Sequence, residues 1–509
     1  MKTIILGGQV TIEDVVSVAR GQAPVSFADA YCDRVKRCRD HVETFSKQEE
    51  AIYGITTGLG DNCRKFVPEA ERIIIQRNHI LAHTCSVGEP INEECVRAIM
   101  FVMLAHFGCG HTGIRLETLE LLRDMLNNNV IPRVPGHGSV GYVSLESHIG
   151  MVLIGEGQAR YNGELLDGRQ ALGRAGLSPT ILCAKEGLTI VSGTTSVTAL
   201  TALALYDAVT IAQTTDIAAA LTLEALKGNM MALDERLMNA RPHPDQGMTA
   251  ANIRAILKDS PIIEKYQGRR VQDALSLRSV PQLHGAVKKF IKCGLDVLET
   301  ELNAAVDNPL LFEDADGSPV ALMGSNADGS YAGMAADVLM IAVTDLCKMS
   351  TCRIDRMLNR LVSELPPFLN KNADYNNGLM MIQYTAAGLL GELRLLSHPS
   401  VVDNVTTCAN QEDYVNMGYN AAKKAYDGMH LAKYICAIEL MCGAQALDCH
   451  EGTTRPAAGT TAAYKLVREV LPAMDNDFPL EPYMEQVARQ VLDRVYINGV
   501  EGAVGALRF

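Results

Sequence analysis

The sequence predicts a mostly helical protein, a long central helical bundle that carries irregular active-site loops and few short strands. Three observations predict it. Apolar residues recur at helical spacing, as in Val287, Phe290, Ile291, Leu295, Leu298 and Leu302, and again in Leu339, Ala342, Leu346 and Met349. Residues 429–447, "MHLAKYICAIELMCGAQAL", are apolar nearly all round, which requires burial on every side. Strand signals are few, the clearest being "VALMG" after Gly317 and Pro319, with "EDADG" before it as a turn between strands.

The remaining elements follow in the same way. The chain has 509 residues, 48% of them hydrophobic, enough for a large buried core. "TALTALALYDAVTIAQTTDIAAALTLEAL" is interrupted by Asp207, Gln213 and Asp216 and reads as a buried core helix rather than a membrane span. Gly-rich turns such as "YGITTGLGD" and "VPGHGSVG" lie between helical segments, where loops on rigid helices carry chemistry. No linker marks a boundary. One unit over 1–509 is expected, with an active-site loop region over about 1–200 and the bundle with the C-terminal part over about 201–509.

Composition excludes several classes. Net charge is −13 with no long basic block, so neither nucleic acid nor an anionic membrane is an expected partner. The start, "MKTIILGGQV", is too short in its apolar run for a secretory signal, and a cytoplasmic protein is expected. The 14 cysteines contain no C-x-x-C pair and read as reduced, mostly buried residues. His106, Cys109 and His111 have spacings a metal could use, but no second ligand pair accompanies them, so no metal is expected.

Polar residues in apolar surroundings mark candidate sites. Asn410, Gln411, Glu412 and Asp413 precede a long helix, where acids serve as capping groups as readily as catalytic ones. Gln272 and Arg278 sit in "VQDALSLR" before Pro281. Periodicity alone does not bring these loops together.

Taken in order, the motifs resemble those of the histidine and aromatic amino acid ammonia-lyases. They are "YGITTGLGD" at Tyr53, "LAHTCSVGEP" around His83, "AKEGLTIVSGT" ending at Thr194, "RPHPDQ", "VQDALSLRSVPQ", "ELNAAVDNPL", "LPPFL" and "SHPSVVDNVTTCANQED". The resemblance covers nearly the whole chain. It implies a helical fold of the histidine ammonia-lyase type, a homotetramer with active sites shared between subunits, and elimination of an α-amino group with a β-proton. By the same resemblance, Tyr53 is the base, Arg278 and Gln272 with Asn303 hold the substrate's carboxylate end, and Glu412 with His83 receives the side-chain ring.

One departure is large. The family closes an internal Ala-Ser-Gly into a methylidene-imidazolone electrophile. Here "GSVG" ends at Gly141, and only residues 142–147 precede His148, so the Ala-Ser-Gly is deleted rather than substituted. Ser192 replaces a ring-supporting Asn, Leu275 a Tyr, Ala327 a Phe, and Tyr414 a His. A quaternary ammonium needs no electrophile, because it has no N–H and leaves as a neutral amine. The expected function is therefore that of an ergothionase-like branch: no added cofactor, a betaine substrate (ergothioneine), and trimethylamine as product. Tyr142, Tyr414 and Tyr331 are the aromatic faces expected to hold the trimethylammonium. The alternatives are an ordinary ammonia-lyase or aminomutase whose ring forms at residues 191–193, and an inactive homologue with a binding role.

Overall fold

The computed structural model describes residues 2–48, 51–143, 145–450 and 455–509. Ser144, inside the shortened loop, lies outside the described residues. The fold is mostly helical. Its longest helices are Thr195–Ala225, Val280–Glu301, Ser330–Leu358 and Gly418–Asp448. Strands are short and occur in small separate sheets. Ile4–Leu6 pairs in parallel with Val25–Phe27, and Val87–Pro90 pairs antiparallel with Pro135–His137. The "VALMG" segment supplies Pro319–Leu322, which pairs antiparallel with Leu310–Glu313 across the "EDADG" turn.

The chain forms two compact units that do not divide at one point. The first comprises Met1–Tyr206, Gly294–Asp337 and Pro399–Lys423. The second comprises Asp207–Cys293, Val338–His398 and Lys424–Phe509. The apolar run over Glu186–Ala225 is wholly buried in its most hydropathic window, as a core helix is.

In the first unit, the helix Glu93–Phe107 is buried continuously from Cys95 to its end. His106 in its last turn, and Cys109 and His111 beyond it, are used structurally. His106 donates Nε2–H to the Glu301 carbonyl (2.9 Å), because a carbonyl can only accept, and His111 Nδ1–H donates to the Leu311 carbonyl (2.9 Å). Cys109 Sγ lies 3.5 Å from the Ala304 carbonyl.

In the second unit, buried ionic groups link helices that are otherwise apolar. Arg353 meets Glu439 through Nε (2.5 Å) and a terminal nitrogen (2.9 Å), and Thr222 Oγ1 donates to the same carboxylate (3.1 Å). Asp216 receives Lys288 and His284 Nδ1–H (2.8 Å). Burial raises the Asp216 carboxyl, but Lys288 and His284 outweigh it and hold it below its ordinary value. Burial pushes His284 down, so it is neutral, and its Nε2 accepts from Arg353 (3.4 Å). Arg353 and Asp216 thus each face an opposite charge, Glu439 and Lys288, inside the core. Leu339, Ala342, Leu346 and Met349 are buried as their spacing predicts, whereas Phe290 is 52% exposed and lines an apolar groove instead.

Candidate active site

The loop bearing Tyr53 is stitched to itself. Ile52 N–H donates to Thr56 Oγ1 (2.8 Å), Val67 N–H to the Thr56 carbonyl (2.8 Å), and Gly58 N–H to the Lys65 carbonyl (2.9 Å). Gly54 has φ +71, and a Cβ there would stand 2.4 Å from Leu188 Cδ2, so only glycine lets the loop approach so closely. Gly60 N–H donates to Tyr53 Oη (3.0 Å). Burial raises the Tyr53 phenol, and this hydrogen bond pulls the other way.

Tyr53 lines a cavity of about 790 Å³ together with His79, His83, Val143, Leu188 and Glu412. His83 ends the helix Glu69–His83. Its Nδ1 lies 2.8 Å from the His79 carbonyl and must be the donor, which fixes Nε2 of a neutral ring as an acceptor. The His79 and His83 rings are 4.0 Å apart. Burial, and then His83, lowers His79 to about 3, so its imidazole is neutral. His79 was not read from the sequence, although its spacing one helical turn before His83 was available as a signal.

Glu412 enters from a strained loop. Cys408, Ala409 and Asn410 are all left-handed, with φ of 49°, 50° and 68°. Thr407 holds the turn, its N–H donating to the Glu412 carbonyl (2.8 Å) and its Oγ1 to Glu412 Oε2 (2.7 Å). Glu412 is therefore no helix cap; the helix starts later, at Gly418. Leu188 and Ser192 belong to the helix Glu186–Val191 and its C-cap. That helix is anchored by Glu186 to Arg115 (2.7 Å) and Thr118 (2.7 Å), and by the buried Lys185–Asp307 pair.

The other expected site residues are placed as follows. Tyr142 is half-buried, and its phenol is raised to about 12 by burial and then by Glu412 and Asp328. Tyr414 is 55% exposed with its hydroxyl 3.0 Å from Ser330 Oγ, and Tyr331 is exposed. Arg278 and Gln272 belong to the second unit, Gln272 exposed and Arg278 half-buried. Asn303 requires a correction. Its oxygen accepts Val10 N–H (2.8 Å), and its amide donates to the Val10 and Glu299 carbonyls (both 2.9 Å). It ties down the N-terminal segment and lines a different cavity, so its polar atoms are not left for a carboxylate.

The residues present do not fit a methylidene-imidazolone. Ring closure requires the third residue of a tripeptide to attack the first residue's carbonyl carbon. Only residues 142–144 join Gly141 to the helix Leu145–Leu153. Gly141 itself is pressed so close to Asn416 that a Cβ would stand 2.1 Å from Oδ1, and Val143 is a β-branched residue at φ +70. At residues 191–193 the Val191 carbonyl accepts Val143 N–H (3.1 Å), and Ser192 N–H stays in the helical ladder to Leu188 (2.9 Å).

Comparison with known proteins agrees with the fold and corrects the function. Residues 10–469 match the family described as aromatic amino acid lyase. A histidine ammonia-lyase of Caldanaerobacter subterraneus subsp. tengcongensis is 40% identical over 479 residues, 94% of each chain. The crystal structure of histidine ammonia-lyase from Trypanosoma cruzi matches with a TM-score of 0.92 at 32% identity, covering 99% of this chain and 96% of that one. The ergothionase of Treponema denticola, in complex with desmethyl-ergothioneine sulfonic acid, matches with a TM-score of 0.89 at 29% identity, covering 98% and 100%. The expectation of trimethylamine elimination from ergothioneine is thereby overturned, since the full-length relatives at 40% identity are histidine ammonia-lyases. The roles given to Tyr142, Tyr414 and Tyr331 as trimethylammonium faces fall with it. The chain belongs to the aromatic amino acid lyase family, as an enzyme of the carbon–nitrogen lyase class.

Proposed function

We propose that this enzyme eliminates the α-amino group and a β-proton from an amino acid with an imidazole side chain, L-histidine first among them, to leave an acrylate. The observation that carries the reading is one cavity lined by Tyr53, His83 and Glu412 in a chain whose 40% identical relative is a histidine ammonia-lyase.

In this reading each residue has a definite task. The Tyr53 phenolate takes the β-proton, the C–H electron pair becomes the double bond, and the amine departs with the electrons of the C–N bond. A protonated amine leaves as neutral ammonia, so charge balances without a further group. Removal of an ammonium N–H by the same base is reversible and unproductive. Glu412 and His83 Nε2 are acceptors for the two N–H groups of the substrate's side chain bound as an imidazolium, and Arg278 takes the carboxylate, aided by Gln272. The chain runs this chemistry with unmodified side chains. The assembly is a homotetramer with shared sites. It would cover the apolar groove of about 780 Å³ on the second unit, where Leu283, Val287, Phe290 and Ile341 lie.

Steady-state kinetics on a panel of amino acids test the proposal. L-Histidine should be converted with release of ammonia, and kcat/KM for L-phenylalanine should be lower by roughly 10⁴-fold, because a phenyl ring leaves both acceptors unpaired. Equal or greater efficiency with phenylalanine or tyrosine would remove the imidazole assignment.

A further inference from the structure

We infer that Asp273 is a positioning residue that sets Arg278 to grip a carboxylate end-on through its two terminal nitrogens. The inference rests on the assignment of Arg278 to the substrate's carboxylate. Arg278 closes the short helix Leu275–Arg278 and donates its Nε–H to the Asp273 carbonyl (3.0 Å). Its terminal nitrogens have no protein partner among the described residues. A guanidinium can meet a carboxylate side-on, through Nε and one terminal nitrogen, or end-on, through both terminal nitrogens. With Nε already committed, only the end-on approach remains.

Asp273 is itself held from the other side. Its carboxylate, 5% exposed as a residue, accepts Asn229 N–H (2.6 Å) and an Arg270 terminal N–H (3.0 Å). Arg270 also donates to the Leu226 carbonyl (3.0 Å), and Asn229 Nδ2 to the Arg270 carbonyl (3.4 Å). The side chain thus pins residue 273 to the segment just beyond the helix Thr195–Ala225, and the main chain of residue 273 aims the guanidinium. All of these groups lie within the second unit. A surface ion pair would not need a buried carboxylate taking a backbone N–H and a guanidinium together. Here the burial fixes one geometry.

The test compares two competitive inhibitors, imidazolepropionate and its amide, which differ only in the charged end. The wild-type enzyme should favour the acid. Asp273→Asn should shrink that preference by roughly 10- to 100-fold, the scale of a hydrogen bond to a charged group, and raise KM more than it lowers kcat. Arg270→Met, at a partly exposed side chain, should shrink the preference in the same direction and stands in if Asp273→Asn does not fold. Arg278→Met is the control and should abolish the preference. If Arg278→Met abolishes it while both other variants leave it intact, the positioning role of Asp273 is wrong and the carboxylate assignment stands. If Arg278→Met leaves it intact, both fall.

Discussion

Tyr53→Phe is expected to lower kcat by about 10²–10⁴-fold with KM for L-histidine little changed. The substitution removes the proton acceptor and keeps the ring that packs in the cavity. Gly60 N–H, the one hydrogen-bond donor on Tyr53 Oη among the described residues, then loses its acceptor in a partly open cavity that water can enter, so the fold should tolerate the change. The sign of the pH effect follows from the environment. Burial moves the phenol above its ordinary value, so the phenolate fraction of the free enzyme grows as pH rises, and kcat/KM should climb with pH below that raised pKa. A nearby substrate cation acts in the opposite direction and favours the phenolate once bound. Steady-state kinetics across pH would show both effects. A variant that keeps near-normal kcat would mean that another group takes the proton.

Arg353→Met is expected to destabilise the protein by about 3–5 kcal/mol, read by urea or thermal unfolding. Arg353 and Glu439 are both fully buried, and the guanidinium supplies two bonds to the carboxylate as well as contacts to Ser350 Oγ (3.1 Å) and His284 Nε2. Without it, Glu439 keeps only Thr222 Oγ1 among the described residues, and a carboxylate remains in the core with no counter-charge among them. The effect should be largely reversed in Arg353→Met with Glu439→Leu, since removing both charges removes the penalty rather than exposing it. Equal destabilisation in the single and double variants would mean that packing volume, not the stranded charge, is what Arg353 contributes.

The helices were legible in the sequence because burial imposes a period on them. Leu339, Ala342, Leu346 and Met349 point inward as their spacing requires. The same rule misplaced Phe290, because an apolar residue at helical spacing faces either a core or a groove, and spacing does not distinguish them. Within the candidate site, Tyr53, His83 and Glu412 were reached through motif resemblance, and they do line one cavity. Asn303 was not legible in this way. Its motif suggested a substrate contact, while its geometry is decided by Val10, distant in sequence and invisible to any local pattern. His79 was missed for the converse reason, since its burial beside His83 is a tertiary fact. The substrate was misread because one deleted loop was made to outweigh resemblance along the whole chain. Loss of a ring-forming tripeptide bears on how an amine leaves and does not identify the amine.

The central claim is that this family fold carries out its elimination with the chain's own unmodified side chains. Intact mass spectrometry of an active preparation tests it most directly. The account predicts the mass of the encoded 509-residue chain, apart from any loss of the N-terminal Met, in protein that releases ammonia from L-histidine. A deficit of two waters, mapped by peptide analysis to residues 138–157 or 191–193, would show that a ring forms after all and would contradict the account.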